Sequence, residues 1–435
     1  MKNFRLKILD LRFAVLLLAG AAFAEMPSYT LEDCVQIGLE RAVPVMNAER
    51  DRQIAEATMK QARATGLPQV DLLGSYTRND GTASPFMAGD ILHDRYGGSV
   101  TASQTLYDGG KVFSAVRAAN AYRGLTAQSK VLQEAALIRT IHTSFNGILL
   151  AQANVAVQEA SVKQLADFEK ETRQKYEVGA SSEFDWLTAQ VRLANEKPKL
   201  IEARNALAVA KEYFRNLIVL DAEDFNLTGE LKYKPFDPDL MSLQSGAVSI
   251  RPELLVQEKT VALRREDLKA SWSGYKPKVT ADAIYTQENP DRYNATSDAW
   301  VDHWSAGLTA RWTLFDGGTR RGDVLTKGLE LAKAQANRDN LLRSVSVEVK
   351  SAWLDMMAAR ETIAGTEQNV KLAEKALEIA RTRYDSGLST YLEFTDSNLS
   401  LNTARLNYFQ SLEKHLNAVV NLKYAAGILK NGMVE

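Results

Sequence analysis

The sequence predicts an α+β membrane protein in which very long helices alternate with β-hairpins, built as two copies of one unit. Three observations predict it. Thr105-Leu106-Tyr107-Asp108-Gly109-Gly110 returns 208 residues later as Thr313-Leu314-Phe315-Asp316-Gly317-Gly318, and Pro44, Gly66, Arg173, Tyr176 and Gly179 return at the same offset as Pro252, Gly274, Arg381, Tyr384 and Gly387. So long an offset marks an internal duplication, not a solenoid array. Gly110 to Tyr176 and Gly318 to Tyr384 are each 67 residues without a proline, where globular helices average roughly 11–12 residues. Ahead of each stretch lies a segment of period-two alternation edged by aromatic residues, the pattern of transmembrane strands.

Residues 1–24 read as a secretory signal peptide. Lys2, Arg5, Lys7 and Arg12 form a basic start, Phe13 to Ala21 an apolar core too short to span a bilayer, and Ala22-Phe23-Ala24 a small-x-small cleavage site. Repeat 1 then covers 25–220 and begins with a helix: Thr30-Leu31-Glu32-Asp33 is a capping signature before Val35, Ile37 and Leu39. Pro44 breaks and restarts this helix, and Gly66 and Pro68 end it. Cys34, the only cysteine, is expected as a small buried residue on that first helix.

A β-hairpin is expected over 69–107, with a Gly-, Asp- and Pro-rich tip loop from Asn79 to Asp94. Its counterpart is expected over 278–315 around Asn289-Pro290, with Tyr76, Tyr96, Tyr107, Tyr285, Trp304, Trp312 and Phe315 as the flanking aromatics. Asp108-Gly109-Gly110 and Asp316-Gly317-Gly318 are strand-to-helix turns, not phosphate cradles. The long helices follow over 110–176 and 318–384. Leu137, Ile141, Phe145 and Ile148 are matched by Val345, Val349, Trp353 and Met356, a narrow seam of coiled-coil type. At 1.5 Å per residue each helix is a rod about 100 Å long. Gly179 and Gly387 supply the turns at the rod ends. Ser181, Ser182, Ser389 and Thr390 supply caps, and return helices follow over 182–217 and 390–424. Pro198 predicts a kink or break in the first of these. Repeat 2 covers 251–428; residues 221–250 link the copies, and 429–435 form a C-terminal tail.

The charge balance argues against nucleic acid as a partner. Removing the leader leaves 49 basic and 53 acidic residues, which is no basic footprint. The four histidines, His93, His142, His303 and His415, are scattered and expected on the surface or in loops. With no Gly-rich phosphate loop, nucleophile elbow or cysteine-based metal site, no enzyme activity, cofactor or bound metal is expected. The rival reading is a soluble periplasmic coiled-coil scaffold, which explains the long helices but not the duplicated, aromatic-edged hairpins.

Taken in order, Leu31-Glu32-Asp33-Cys34-Val35 with Pro44, the Leu-aromatic-Asp-Gly-Gly after each hairpin, and Tyr176-x-x-Gly179-x-x-Ser-x-x-Asp185-x-Leu187-x-x-Gln190 resemble the TolC family of outer-membrane efflux ducts, over about 30 to 428. The resemblance implies a homotrimer in the bacterial outer membrane. Each chain would give four strands to one 12-stranded β-barrel in lipid, continued by a long periplasmic α-helical barrel with a mixed belt around its middle. It further implies a periplasmic adaptor and an inner-membrane transporter as partners, and passive conduction through an iris-like gate.

The same resemblance places functional residues at the helical tips. Glu393 and Asp396, with Asp185 as the copy-one counterpart of Glu393, are the expected aperture acids. They would favour cations. Tyr176, Gly179, Ser181, Tyr384, Gly387 and Ser389 form the expected adaptor-docking tips. Some family members carry a basic gate-holding residue just after the tip glycine; Ser389 stands there in this chain, and Arg381 and Arg383, one turn earlier, are the candidate substitutes.

Overall fold

A computed structural model describes residues 26–78, 94–291 and 298–429. The expected signal peptide, the expected tip loop of the first hairpin with His93, and the expected tail from 430 lie outside the described residues. Among those described, the order is β1 (Ser28–Tyr29), α1 (Leu31–Arg41), α2 (Val43–Ala64), β2 (Gln69–Arg78), β3 (Asp94–Tyr107), α3 (Lys111–Glu177), α4 (Glu183–Ile218), β4 (Asn226–Leu227), α5 (Leu240–Ile250), α6 (Pro252–Trp272), a 3₁₀ turn, β5 (Lys278–Asn289), β6 (Val301–Arg311), α7 (Thr319–Asp385) and α8 (Tyr391–Ala425). The chain divides into two compact units. One holds residues up to Met46, Glu134–Leu243 and those from Glu348 onward; the other holds Asn47–Gln133 and Gln244–Val347.

The first unit is built on the seam of α3. Ile141, Phe145 and Ile148 are buried with Cys34 and Val35 of α1, Phe214 and Ile218 of α4, and Phe225. Thr30 caps α1 through a reciprocal box with Asp33, which satisfies two orphan amide donors for about 1 kcal/mol of helix stability. Gly38 lets α1 settle on α3, since a Cβ there would meet Ile141 Cδ1 at 2.6 Å. β1 pairs in parallel with β4, tying the start of the chain to the connector after α4. Met356 and Val349 of α7 are also buried, while Trp353 is half-buried and donates its indole N–H to Pro238 O at 3.3 Å.

The second unit carries one four-stranded antiparallel sheet in the order β2-β3-β5-β6. Its register puts mainly apolar side chains on one face and mainly polar ones on the other, with Leu73 and Ile284 as apolar exceptions on the polar face and Gln287 and Asp302 as polar exceptions on the apolar one. Val70↔Ala102↔Ala283↔Ala306, Leu72↔Val100↔Tyr285↔Trp304 and Tyr76↔Tyr96 share one face. Asp71↔Thr101, Ser75↔Gly97↔Glu288, and Asp282, Thr286 and His303 fall on the other, because neighbours along a strand point to opposite sides. The apolar face is uncovered in the chain: Leu72 is 83% exposed and Trp304 75%.

Four expectations are corrected. The second hairpin ends as a strand at Arg311, not 315. Its partner β5 begins at Lys278, opposite Arg311, so nothing pairs with the chain beyond, whereas β3 runs on to Tyr107 because it also pairs with β5. Past β6 the Arg320 guanidinium takes the carbonyls of Thr313 at 2.6 Å and Leu314 at 3.2 Å. The supposed linker 221–250 contains β4 and the helix α5, which Asp239 starts by accepting the Ser242 N–H at 2.8 Å. The break expected at Pro198 does not occur; α4 runs through it, since proline removes a single intrahelical bond and neighbouring Glu196 is held by the Ser161 hydroxyl of α3 at 2.8 Å. His142 and His415 are not surface residues. Both are buried on helices, while His303 is exposed on β6.

Candidate functional site: the helical tips

The tips are the turns α3–α4 and α7–α8, both in the first unit. Gly179 (φ +77°) and Gly387 (φ +71°) adopt the left-handed conformation, which side chains with a Cβ enter at about 1–2 kcal/mol. They close each helix with paired bonds: Gly179 N to Tyr176 O at 2.9 Å and Ala180 N to Lys175 O at 2.7 Å, repeated as Gly387 N to Tyr384 O at 2.9 Å and Leu388 N to Arg383 O at 2.8 Å. A Cβ on either glycine would touch nothing within 4 Å, so both turns are open to an incoming surface.

The return helices start on caps, and the acids differ in how they are used. The Ser182 hydroxyl donates to the half-buried Asp185 carboxylate at 2.6 Å and accepts the Asp185 N–H at 3.1 Å, with Ser181 donating at 3.5 Å. Thr390 accepts the Glu393 N–H at 3.4 Å, and the Ser389 hydroxyl donates to the Glu393 carboxylate. Asp396 lies one turn further along α8, exposed like Glu393. The basic candidates act locally. Arg381 reaches Asp385 of its own helix at 4.0 Å, and Arg383 donates to Leu388 O at 3.5 Å.

The two tips are not equivalent, and the difference is aromatic. In copy one Tyr176 stacks on Trp186 at 5.3 Å, whose indole N–H donates to Glu169 at 2.9 Å. In copy two Phe394 stands where Trp186 does, and Tyr391 replaces Glu183. Phe168 of α3 enters between them. Its ring stacks on Tyr391 at 4.3 Å, with Tyr384 at 5.4 Å and Phe394 at 5.5 Å. Each such pair contributes about 0.5–1.5 kcal/mol beyond its buried area. Arg192 of α4 lies over Tyr391 and Lys175 of α3 over Tyr384. All four tip helices therefore meet at this one cluster. Burial pushes the Tyr391 phenol up to about 12, so it stays neutral. Sequence reading missed this cluster; its signal was the density of aromatics beside the two turns.

The strand-to-helix turns are caps as well. The Asp108 carboxylate accepts the N–H groups of Gly110 at 3.0 Å and Val112 at 2.8 Å. Asp316 does the same for Gly318 at 3.1 Å and Arg320 at 3.0 Å, and also pairs with the Arg320 side chain at 2.7 Å. Gly109, Gly110, Gly317 and Gly318 all have positive φ. The amides of a would-be phosphate cradle are spent on the chain's own carboxylates. Among the described residues no group of three or more His, Cys, Asp or Glu could hold a metal ion, and no helix is long and apolar enough to cross a membrane.

The family described as "Outer membrane efflux protein" matches residues 35–218 and 243–428, one match per repeat. The chain is 24% identical over 421 residues to the outer membrane protein TolC of Vibrio cholerae, covering 95% of this chain and 93% of that protein. It is 22% identical to the alkaline protease secretion protein AprF of Pseudomonas aeruginosa, covering 97% and 88%. Among solved structures, the Campylobacter jejuni CmeC outer membrane channel superposes with a TM-score of 0.79 at 17% identity, over 92% of this chain and 86% of that one.

Proposed function

The chain belongs to the outer membrane efflux protein family, and from that membership we propose that three copies form one duct through the outer membrane, joined to a periplasmic adaptor and an inner-membrane transporter. The family consists of channels, not enzymes. The chain is an outer-membrane channel with a periplasmic helical barrel, serving efflux or type I secretion.

The observation that carries the trimer is the sheet of the second unit. Its apolar face is uncovered and its outer strands, β2 and β6, are unpaired on their far sides among the described residues. Open edges are not tolerated in hydrocarbon. Four strands per chain close into an even twelve when three chains join edge to edge, with Leu72, Tyr285 and Trp304 toward lipid and Asp71, Asp282 and His303 toward the lumen. A soluble scaffold leaves that apolar face unexplained. At the tips, Glu393 and Asp396 line the aperture, two carboxylates per chain and six in a trimer, and the glycine turns receive the adaptor. Incorporation of purified protein into planar bilayers tests this reading. It predicts discrete, cation-preferring conductance steps; protein that inserts without conducting, or never inserts, contradicts it.

A further inference from the structure

The first unit contains a cavity of about 510 Å³ that nothing in the duct's role uses. It lies against α3 and the end of α8, roofed by the connector 228–236. Its walls are mainly apolar: Phe145, Leu149, Phe236, Val419, Val420 and Leu429. Ligand pockets fall in the range of roughly 300–1,000 Å³ and pair such walls with a few fixed polar groups.

The polar groups here have unmet needs. His142 is only 7% exposed, lines the cavity, and its Nε2 has no hydrogen-bond partner. A buried polar atom left this way is destabilising, and a ligand atom would relieve it. Lys423, half-buried over the Phe236 ring at 5.4 Å, and Lys234 also line the cavity, and neither has a carboxylate partner among the described residues. Burial and the charge of Lys234 push the Lys423 ammonium down, and burial, then Lys423, pushes His142 down to about 4. Both groups thus sense neighbouring positive charge, which Glu32 partly offsets at His142. Lys232 does not add to it, because Glu230 pairs with it. Glu32 on the wall opposes it, leaving an excess of one positive charge. The roof is held in place: Gly229 sits so close to α3 that a Cβ would meet Phe145 at 2.9 Å, and Lys234 O lies 3.3 Å from Nε2 of the buried His415.

The geometry points to a binding site for a small amphiphilic monocarboxylate, its head group between Lys234, Lys423 and Nε2 of His142 and its apolar tail along Phe145, Leu149 and Val420. The single excess charge matches one carboxylate better than a phosphate dianion, which would face Glu32. The apolar walls match a hydrocarbon body, not a free inorganic ion.

Reductive methylation of the full-length, detergent-solubilised protein, read lysine by lysine by mass spectrometry, tests this without a variant. Hexanoate, short enough to stay out of micelles, slows labelling of Lys423 and Lys234 saturably and about tenfold, and leaves exposed Lys371 unchanged. Hexanol and inorganic phosphate have no such effect. Calorimetry then shows hexanoate affinity lost in Lys423→Met and reduced about fivefold in His142→Gln. No selective protection, equal protection by phosphate, or undiminished affinity in Lys423→Met would overturn the assignment.

Discussion

Glu393 and Asp396 lie three residues apart on the exposed side of α8, so their carboxylates project from one face. If that face lines the conducting path, replacing both with Gln and Asn weakens cation preference in planar-bilayer recordings and removes block by divalent or trivalent cations. Unchanged selectivity and block place these acids on a solvated face instead. His142 makes a separate prediction. Its pKa falls from 6.5 to about 4 through burial. The unfolded chain therefore binds more protons between those values, and the stability the neutral ring confers is whole above pH 6.5 and lost as pH falls toward 4. The loss amounts to about 3 kcal/mol at most. Denaturation midpoints of His142→Gln should decline less than those of the parent over that window; parallel curves contradict the assignment.

The tip turns show how far elements could be read from the chain alone. Gly179 and Gly387 announce left-handed closures because few other residues adopt positive φ, and both adopt it. Each takes a side chain at about 1–2 kcal/mol of backbone strain, with no clash. Gly179→Leu with Gly387→Leu should therefore leave assembly intact while adaptor recovery after crosslinking in cells falls to background. Full recovery sinks the docking role. The Thr30 cap was equally legible, since a capping box is a local bond between residues three apart; the turns at Asp108 and Asp316 were read as turns, without the capping bonds their carboxylates make. What escaped the sequence was non-local. Phe168 meets Tyr391 only because α3 and α8 pack together, and His142 and His415 are buried by neighbours that no spacing reveals. α5 was hidden inside an apparent linker because its Asp239 cap stands beside two prolines. The early end of β6 reflects its place at the sheet edge, where its one partner β5 starts at Lys278, while β3 lies between two strands.

For the whole molecule, the central claim is that a single chain is incomplete. Its sheet leaves an apolar face uncovered and two edges unpaired among the described residues; in the proposed trimer, antiparallel pairing to further copies closes the edges and lipid covers the face. The duplication fits this economy: each repeat supplies one hairpin and one long helix pair, and the aromatic cluster at the second tip makes the two halves distinct. The most direct measurement is the protein mass of the detergent-solubilised particle, by sedimentation equilibrium with the bound detergent density-matched. Three chains per particle, with no monomer on dilution, is the predicted result; a stable monomer would contradict the account.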